Sequence, residues 1–423
     1  MGPYAGLPRY KENLISVRES CRAVTSTTDA CAFLLIAASR PYRAGACPGF
    51  PSDQLAEFTD WTGLIALALA HGLGGLLCEH LLTSAAGAVP NDIADAARAH
   101  IAFLRAAHED GVAELLDLLA LLQDAGIEAV PFKGPVFAQL FHPDPALRRF
   151  TDLDVLISAA EVEPAHAALL AHGYRSQNQD LRPRHMRAYW RYNGQDVLYA
   201  PDRLPVEPHW LLGPRTLATR LDMPGFLSRA TPIPLRGRQV RTLSLEDCLV
   251  AACFHGAKDE WQSLRTVADV AAILHHGAGP ARTGLDWDIV RSRAQAGGVW
   301  RMVLVGLQLA ATVLDAQLPT AVSRPLAEDR VATGLAEQFV AQLFTANDPD
   351  RSIFDLSWCH WRMRERFADR LRYAGATLFT PRVRQFRTID LPDWLCFLYP
   401  AVKIIQEHVA IPVKQRLSRR VVS

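Results

Sequence analysis

The 423-residue chain lacks the features that mark several classes of protein. Its 45 basic and 44 acidic side chains leave a formal net charge of +1, so no global field draws it to nucleic acid or to a membrane surface. The eight cysteines form no CxxC pair and show no zinc-ligand spacing. This scatter predicts reduced, mostly buried thiols and favours a cytoplasmic protein.

Targeting and membrane segments are also missing from the sequence pattern. The N-terminus, MGPYAGLPRYKENL, has no apolar core after its first basic residues, so it does not fit a secretory signal. The longest uncharged run, residues 61–78, contains His71 and four glycines, which favours a buried helix over a membrane span. What remains is a globular composition, 49% hydrophobic and 21% charged, on a chain long enough for two or three packed units.

Helical periodicity dominates both ends of the chain, whereas the middle alternates short strand-like runs with helices. The sequence therefore predicts an α+β fold in four parts. These are a poorly ordered N-terminus over residues 1–28, an N-terminal helical unit over 29–125, a mixed α/β core over 126–243 and a C-terminal helical unit over 244–423. In the first helical unit a break is predicted at residues 72–75, and in the last a helix start at Ser244 and one continuous helix over 326–347.

The core is predicted to begin with two strands joined by a glycine turn and a helix. IEAVPF (127–132) has a short strand pattern, Lys133-Gly134 follows it, and Pro135 suits the first turn of a helix because its missing N–H would be unpaired there. DLDVLI (152–157) is the second strand. Two further strands are predicted over QDVLYA (195–200) and PVEPHW (205–210), with a turn at 201–203 between them.

Two acids at the head of the second strand are the main chemical feature. Asp152 and Asp154 are two positions apart in an extended segment, so both carboxylates lie on one face. Glu207, in a neighbouring predicted strand, is the candidate for a third oxygen ligand, with Asp196 or Asp202 as the fallback. Hard divalent ions take carboxylates and water, so this set is typical of a Mg²⁺ or Mn²⁺ site.

A phosphate site is predicted beside these carboxylates. Gly134 at a helix N-terminus offers backbone N–H groups and the helix dipole to an anion, and Lys133 or Arg148 could neutralise it. Phosphoryl and nucleotidyl transfer depend on such positioning and charge neutralisation. A DxD at the start of a strand is nevertheless common without a catalytic role, so on the residues alone both interpretations stay open.

Four residues further along are secondary candidates. His255, Lys258 and Asp269 fall close to one helix face, and Lys258 could reach a phosphate. A buried polar network that joins the helical unit to the core is an equally good interpretation of the three. His209, beside Trp210, is read as a strand-packing residue in preference to a catalytic base.

Taken in order, these pieces resemble one family. The similarity is to the uncharacterised nucleotidyltransferase family of the DNA polymerase β-like superfamily, whose members occur in bacterial natural-product and polysaccharide clusters. The residues that carry it are LLIAASRP (34–41), Asp60-Trp61, His71-Gly72, Lys133-Gly134, Leu147-Arg148, DLDVL (152–156), Gly173-Tyr174, VEPHW (206–210) and the helix motif over 255–269. The resemblance therefore spans roughly residues 30–275.

The resemblance implies a polymerase-β-like nucleotidyltransferase core, in which a small mixed sheet with metal carboxylates on adjacent strands is flanked by helical units. It implies that Asp152, Asp154 and Glu207 hold Mg²⁺ and that Lys133 and Gly134 face the triphosphate of an NTP substrate.

The chain departs from the superfamily pattern at two places. The wider superfamily has Gly-Ser where this chain has Gly134-Pro135, so a hydroxyl that would touch a phosphate is absent. Glu207 lies between Pro205 and Pro208, which cannot both donate to a sheet ladder. Its strand is therefore predicted at a sheet edge, or else the third carboxylate is another residue.

The leading hypothesis is a metal-dependent nucleotidyltransferase that moves NMP from an NTP to an unidentified acceptor with release of pyrophosphate. The acceptor is a small molecule, a peptide or a protein, in natural-product or polysaccharide biosynthesis. The alternative is a non-catalytic nucleotide-binding or scaffold protein that retains the fold, which Pro135 and the proline-flanked Glu207 favour. A polymerase or tRNA nucleotidyltransferase fits less well, because a basic surface is expected only in the C-terminal third, so nucleic acid is not a predicted partner.

Overall fold

The computed structural model describes residues 28–41, 55, 58–85, 87–277, 284–345 and 356–407. The predicted poorly ordered N-terminus lies outside these residues, apart from its last position. Within the described ranges, no helix is long and apolar enough to cross a membrane. The prediction of buried, reduced thiols is confirmed for the six described cysteines, which are all buried and free: Cys31, Cys78, Cys248, Cys253, Cys359 and Cys396.

The N-terminal part of the described chain is helical. Its helices are α1 (Thr28–Ala38), α2 (Trp61–Ala70), α3 (Gly74–Thr83) and α4 (Asn91–Asp124). Asp60 caps α2 by accepting a hydrogen bond from the Gly63 N–H at 2.9 Å. The predicted break between α2 and α3 is confirmed, because Gly72 has a φ of +70°, which an α-helix cannot continue.

The middle of the chain forms a five-stranded mixed sheet. Its strands are β1 (Val130–Pro131), β2 (Leu153–Leu156), β3 (Arg175–Ser176), β4 (Leu198–Tyr199) and β5 (Val206–His209), in the order β1-β2-β5-β4-β3. Only β2 and β5 run parallel. Helices α5 (Gly134–Phe141), α6 (Val162–Ala171) and α7 (Pro183–Tyr192) lie between the strands along the chain. The predicted small mixed sheet flanked by helices is confirmed, although β1 is shorter than the six residues expected.

A β-hairpin that was not predicted from the sequence follows the sheet. After α8 (Met223–Ser228), β6 (Thr231–Leu235) and β7 (Arg238–Thr242) pair antiparallel. Arg236 and Gly237 both have positive φ at the turn, of 50° and 74°. A two-stranded ribbon leaves one side of each strand unpaired, so Pro232 and Pro234 fit in β6 without the loss of a ladder hydrogen bond.

The C-terminal part returns to helices. They are α9 (Leu245–Lys258), α10 (Leu264–Gly277), α11 (Trp287–Gly297), α12 (Trp300–Leu314), α13 (Thr320–Glu328), α14 (Arg330–Gln342), α15 (Trp358–Arg362), α16 (Phe367–Phe379), α17 (Val383–Thr388) and α18 (Tyr399–Ile405). The predicted start at Ser244 is confirmed, since its hydroxyl accepts from the Asp247 N–H at 3.3 Å. The single helix predicted over 326–347 is wrong: Asp329 ends α13 and caps α14 by accepting from the Ala332 N–H at 3.0 Å.

Two apolar cores meet the sheet from opposite sides of β2. Leu153 and Val155 belong to a core that includes buried residues of α4 and α6. Leu156, on the other face, belongs to a larger core with buried residues of α2, α3 and α9 to α14. Asp154 shares that second face because alternate strand residues point the same way. The domain boundaries near residues 125 and 243 stay a prediction.

Candidate functional site

Asp154 and Glu207 stand side by side on the two parallel strands. The register of β2 and β5 places Asp154 opposite Glu207 and Leu156 opposite His209. One potential ligand atom each of Asp154, Glu207 and His209 lies within 4.8 Å of the others. Among the residues that the structure describes, no other three His, Cys, Asp or Glu side chains come together this closely. A site made from two strands thus contains two carboxylates and one imidazole.

The strand that carries Glu207 lies inside the sheet. β5 is between β2 and β4, so the predicted edge position is wrong. On the β2 side, the carbonyl of Pro205 accepts from the Leu153 N–H at 2.9 Å. Pro208 faces β4, where its carbonyl accepts from the Asp196 N–H at 3.2 Å and ladder pairing is limited to one residue pair. Neither proline therefore removes a hydrogen bond that the sheet needs.

Asp154 is held by two basic side chains. Lys133 Nζ lies 3.0 Å and His209 Nε2 lies 2.8 Å from its Oδ1. Burial by itself raises the pKa of Asp154, but the charge of Lys133 and the hydrogen bond from His209 outweigh it and hold this pKa below its ordinary value. For Lys133 burial lowers the pKa, and the charges of Asp154 and Asp152 overcome that effect and raise it. Asp154 is thus ionised and Lys133 is protonated at neutral pH.

Asp152 lies next to this group but not within it. It directly precedes β2 and is partly buried. Burial, followed by the charge of Asp154, raises the pKa of Asp152 to about 6, and Glu207 contributes in the same direction. The predicted carboxylates are therefore neighbours, with His209 as the third member of the tight group.

Gly134 begins α5 beside the same acids. Its φ is +54°, and a Cβ added there would lie 3.4 Å from the backbone carbonyl oxygen of Asp152. Such a conformation favours glycine, and the absent side chain leaves the helix N-terminus close to the strand. The strand and the helix start are joined further by the Phe132 N–H, which donates to the Asp154 carbonyl at 3.4 Å.

The structure places Arg148 in a buried ion pair with Asp269 of α10. Its Nε and Nη2 donate to the two carboxylate oxygens at 2.8 and 2.7 Å, and its guanidinium carbon lies 4.4 Å from the centroid of the Phe137 ring. Burial lowers the pKa of Arg148, but the charge of Asp269 overcomes this and raises it. This bidentate pair joins the loop before β2 to the C-terminal helices.

The other secondary candidates lie on α9. His255 Nε2 and Lys258 Nζ approach Asp259 at 3.8 and 3.6 Å. Burial, then the charges of Lys133 and Lys258, hold the pKa of His255 well below its ordinary value, so this imidazole is neutral. His255 is therefore electrostatically linked to the Asp154 site.

Neither fallback acid joins the group of three. Asp196 is buried in a hydrogen-bond network of its own, in which Ser176 Oγ donates to Oδ2 at 2.9 Å. Asp202 lies exposed in the turn before β5 with a φ of 55°. Glu207 is thus the acid that the fold brings to Asp154.

Two residues near the site were missed in the sequence. Gln195 Nε2 donates to Glu207 Oε2 at 2.9 Å, and no sequence pattern predicts this contact because it depends on the bridge between Gln195 and His209.

Arg265 of α10 affects the pKa of Asp152 through its charge. Its spacing of four from Asp269 places both on one helix face, which was a usable signal.

A direct comparison of the sequence with family models identifies the family. A model of the uncharacterised nucleotidyltransferase family matches residues 57–315, more than half of the chain. The chain belongs to this family. No curated protein and no solved structure matches it. The matched range of this nucleotidyltransferase begins after the expected start near residue 30, and it extends past residue 275 to the end of α12.

A nucleotidyltransferase uses an NTP as its substrate, and many sites of this chemistry hold a divalent metal. The donor set of this nucleotidyltransferase fits such an ion, because carboxylate oxygens suit Mg²⁺ and Mn²⁺ and an added imidazole suits the transition metals. His209 Nδ1 lies 3.3 Å from the carbonyl oxygen of Leu211, so Nε2 is the nitrogen that would bind the ion, in exchange for its hydrogen bond to Asp154.

Proposed function

We propose that this nucleotidyltransferase is metal-dependent and transfers NMP from an NTP to an oxygen of an unidentified acceptor. The acceptor oxygen forms a bond to the α-phosphorus, the bond from that phosphorus to the bridging oxygen breaks, and pyrophosphate leaves with the electron pair. The observation that carries the proposal is the group of Asp154, Glu207 and His209 on adjacent strands, beside the helix start at Gly134.

Asp154, Glu207 and His209 would hold the metal, with Asp152 at the side of the group. A divalent ion there would neutralise charge on the triphosphate and on the leaving pyrophosphate. The Glu207 side chain is more exposed than that of Asp154, at 19% against 3%. Glu207 is therefore the better placed of the two to receive the proton of the acceptor.

Lys133 and Gly134 are the proposed contacts to the nucleotide phosphates. Gly134 begins a helix whose N-terminus has no side-chain cap, and Lys133 extends its ammonium to the same carboxylate that would hold the metal. Pro135 has no N–H and no hydroxyl to give to a phosphate, so side-chain cations must replace the contact that serine provides elsewhere in the superfamily. Arg148 and Lys258 are the further candidates for this role.

The test combines a binding measurement with a reaction that needs no known acceptor. Calorimetry measures Mn²⁺ binding. Slow transfer of NMP from α-labelled NTPs to water is measured as labelled NMP, and the released pyrophosphate is measured in parallel. Asp154→Asn and Glu207→Gln should each weaken Mn²⁺ binding by about 10-fold or more and abolish pyrophosphate release. Asp202→Asn, which neutralises the exposed acid in the nearby turn, should change neither. A wild-type protein that binds neither Mn²⁺ nor any NTP would contradict the proposal.

One observation favours the non-catalytic alternative. Lys133 and His209 together already balance the charge of Asp154 within the protein. A scaffold of this kind would bind an NTP, release no pyrophosphate with any acceptor mixture, and keep its cellular effect when Asp154 is replaced by Asn. The labelled-NTP assay therefore separates the two functions.

A further inference from the structure

Two of the three cations proposed to bind phosphate, Lys133 and Arg148, are already paired within the protein. Lys133 pairs with Asp154 at 3.0 Å, and Arg148 makes two hydrogen bonds to Asp269. A triphosphate carries several negative charges, and bidentate guanidinium contacts suit its oxygens. An additional cation at this site would neutralise part of the triphosphate charge and leave both ion pairs intact.

Arg265 is such a cation. It is the second residue of α10, and its charge is close enough to Asp152 to influence that acid. Within the described part of the chain, its guanidinium forms no hydrogen bond and no ion pair. Arg148 is paired with Asp269, which follows Arg265 by four residues on the same helix, so the two guanidinium groups lie in the same part of the site.

The turn between α2 and α3 positions the Arg265 side chain. A Cβ added to Gly72 would lie 3.2 Å from Arg265 Cδ and 3.4 Å from Nε and Nη1, so the arginine packs directly against this glycine. His71 Nδ1 accepts from the Leu264 N–H at 3.0 Å, and Ser263 Oγ donates to the His71 carbonyl at 3.1 Å. His71 and Gly72 thus fix both the start of α10 and the space for its arginine.

We propose that Arg265 binds the triphosphate of the incoming nucleotide. The proposal rests on the function proposed above, because it takes the NTP as the ligand of the Asp154 site. It assigns the His71-Gly72 turn a positioning role, since the turn fixes the position of the Arg265 side chain. Arg148 supports the same site through Asp269, which lies one helical turn after Arg265.

The experiment measures binding of Mg²⁺-NTP and of Mg²⁺-tripolyphosphate, which has the phosphates but no nucleoside. Arg265→Gln should weaken both by about 10- to 100-fold, as expected for the loss of a charged hydrogen-bond donor. Its Mn²⁺ affinity without nucleotide should stay within about 2-fold of wild type, because Arg265 is not among the proposed metal ligands. Arg324→Gln, an exposed arginine paired only with Glu328 on its own helix, is the control and should bind like wild type.

Arg265→Lys keeps the charge and most of the aliphatic stem, and it serves if Arg265→Gln does not fold. It should bind both ligands more weakly than wild type, because an ammonium cannot make the bidentate contact. If both variants fold, unchanged tripolyphosphate binding in both would overturn the Arg265 assignment. If only Arg265→Lys folds, unchanged binding in that variant would overturn it. If wild type itself binds neither ligand, the proposed nucleotidyl-transfer function fails instead.

Discussion

Side chains from other parts of the chain balance the charge of Asp154. Lys133 follows β1, Asp154 is in β2, and His209 is in β5. Both basic groups contact the same carboxylate oxygen, Oδ1, so Oδ2 has neither of these two contacts. A metal that approaches Asp154 therefore meets one oxygen already engaged by the protein. The DxD pattern predicts the acids, but the sharing of Asp154 depends on the strand register, which the pattern does not contain.

Gln195 provides a test of positioning at the residue scale. Its side chain donates to Glu207 Oε2, so Gln195→Ala should leave this carboxylate free to rotate. Removal of such a supporting contact typically weakens metal binding by about 10- to 100-fold, and calorimetry with Mn²⁺ measures it. Gln239→Ala, at an exposed position of β7, is the matched control. Equal Mn²⁺ affinity in the two variants would show that Gln195 does not orient Glu207.

At the scale of elements, some parts of the fold were predictable and others were not. The alternation in DLDVLI and the glycine turn after IEAVPF identified β2 and the start of α5, because local periodicity and chain geometry determine both. The pairing of β2 with β5 was implied by the family resemblance alone, since it joins segments more than 50 residues apart and the prolines around Glu207 argued for an edge. The β6–β7 hairpin was missed for a related reason: Pro232 and Pro234 hide a strand pattern that a two-stranded ribbon tolerates.

The ion pair between Arg148 and Asp269 joins the loop before β2 to α10. Arg148→Met should lower the free energy of unfolding by about 3–5 kcal/mol, because it leaves Asp269 charged and buried without its partner. Arg148→Met/Asp269→Leu should recover most of this loss, since neither buried charge remains. Urea unfolding followed by tryptophan fluorescence measures both. Arg105→Met removes one partner of the exposed pair with Asp144 and should cost less than about 1 kcal/mol.

The close contact between α3 and the same loop gives a second test. A Cβ added to Gly75 would lie 2.4 Å from the carbonyl oxygen and 2.9 Å from the Cα of Leu147, and backbone atoms cannot move aside locally. Gly75→Ala should therefore lower the free energy of unfolding by about 1–3 kcal/mol. Gly87→Ala is the control, because a Cβ there meets no atom within 4 Å. Equal thermal stability of the two variants would contradict the close approach.

The whole molecule brings the site together from four segments that are distant in sequence. Residues 133–134 and 152–154 lie before the middle of the chain, 195–209 follows, and 265–269 belongs to the C-terminal helices. β2 separates two apolar cores, and the face that carries Asp154 points to the core to which α9 and α10 contribute. The order of these pieces in the sequence identified the family, while their contacts follow from packing across the whole chain.

Several buried histidines make the folded state sensitive to acid. Burial is the largest cause that lowers the pKa of His71, His80 and His142, each to about 4. Below about pH 6.5 the unfolded chain binds a proton at each of them, whereas the folded chain does not until about pH 4. The unfolded state therefore binds more protons in this range, and the free energy of unfolding falls as the pH falls. Asp152 opposes this effect, since its raised pKa of about 6 lets the folded state bind a proton first.

The destabilising effect of the three histidines exceeds the opposing effect of Asp152. The free energy of unfolding should therefore fall by about 2 kcal/mol or more between pH 6 and pH 5. Urea unfolding at pH 7, 6 and 5 measures the change. His71→Asn keeps an acceptor for the Leu264 N–H but cannot titrate. It should therefore reduce the fall in the free energy of unfolding between pH 6 and pH 5 by about 1 kcal/mol. His172→Asn, at an exposed position, should leave the loss as in wild type. A free energy of unfolding that stays level from pH 7 to pH 5 would mean that these imidazoles can be protonated in the folded protein, and that the cores around them admit water.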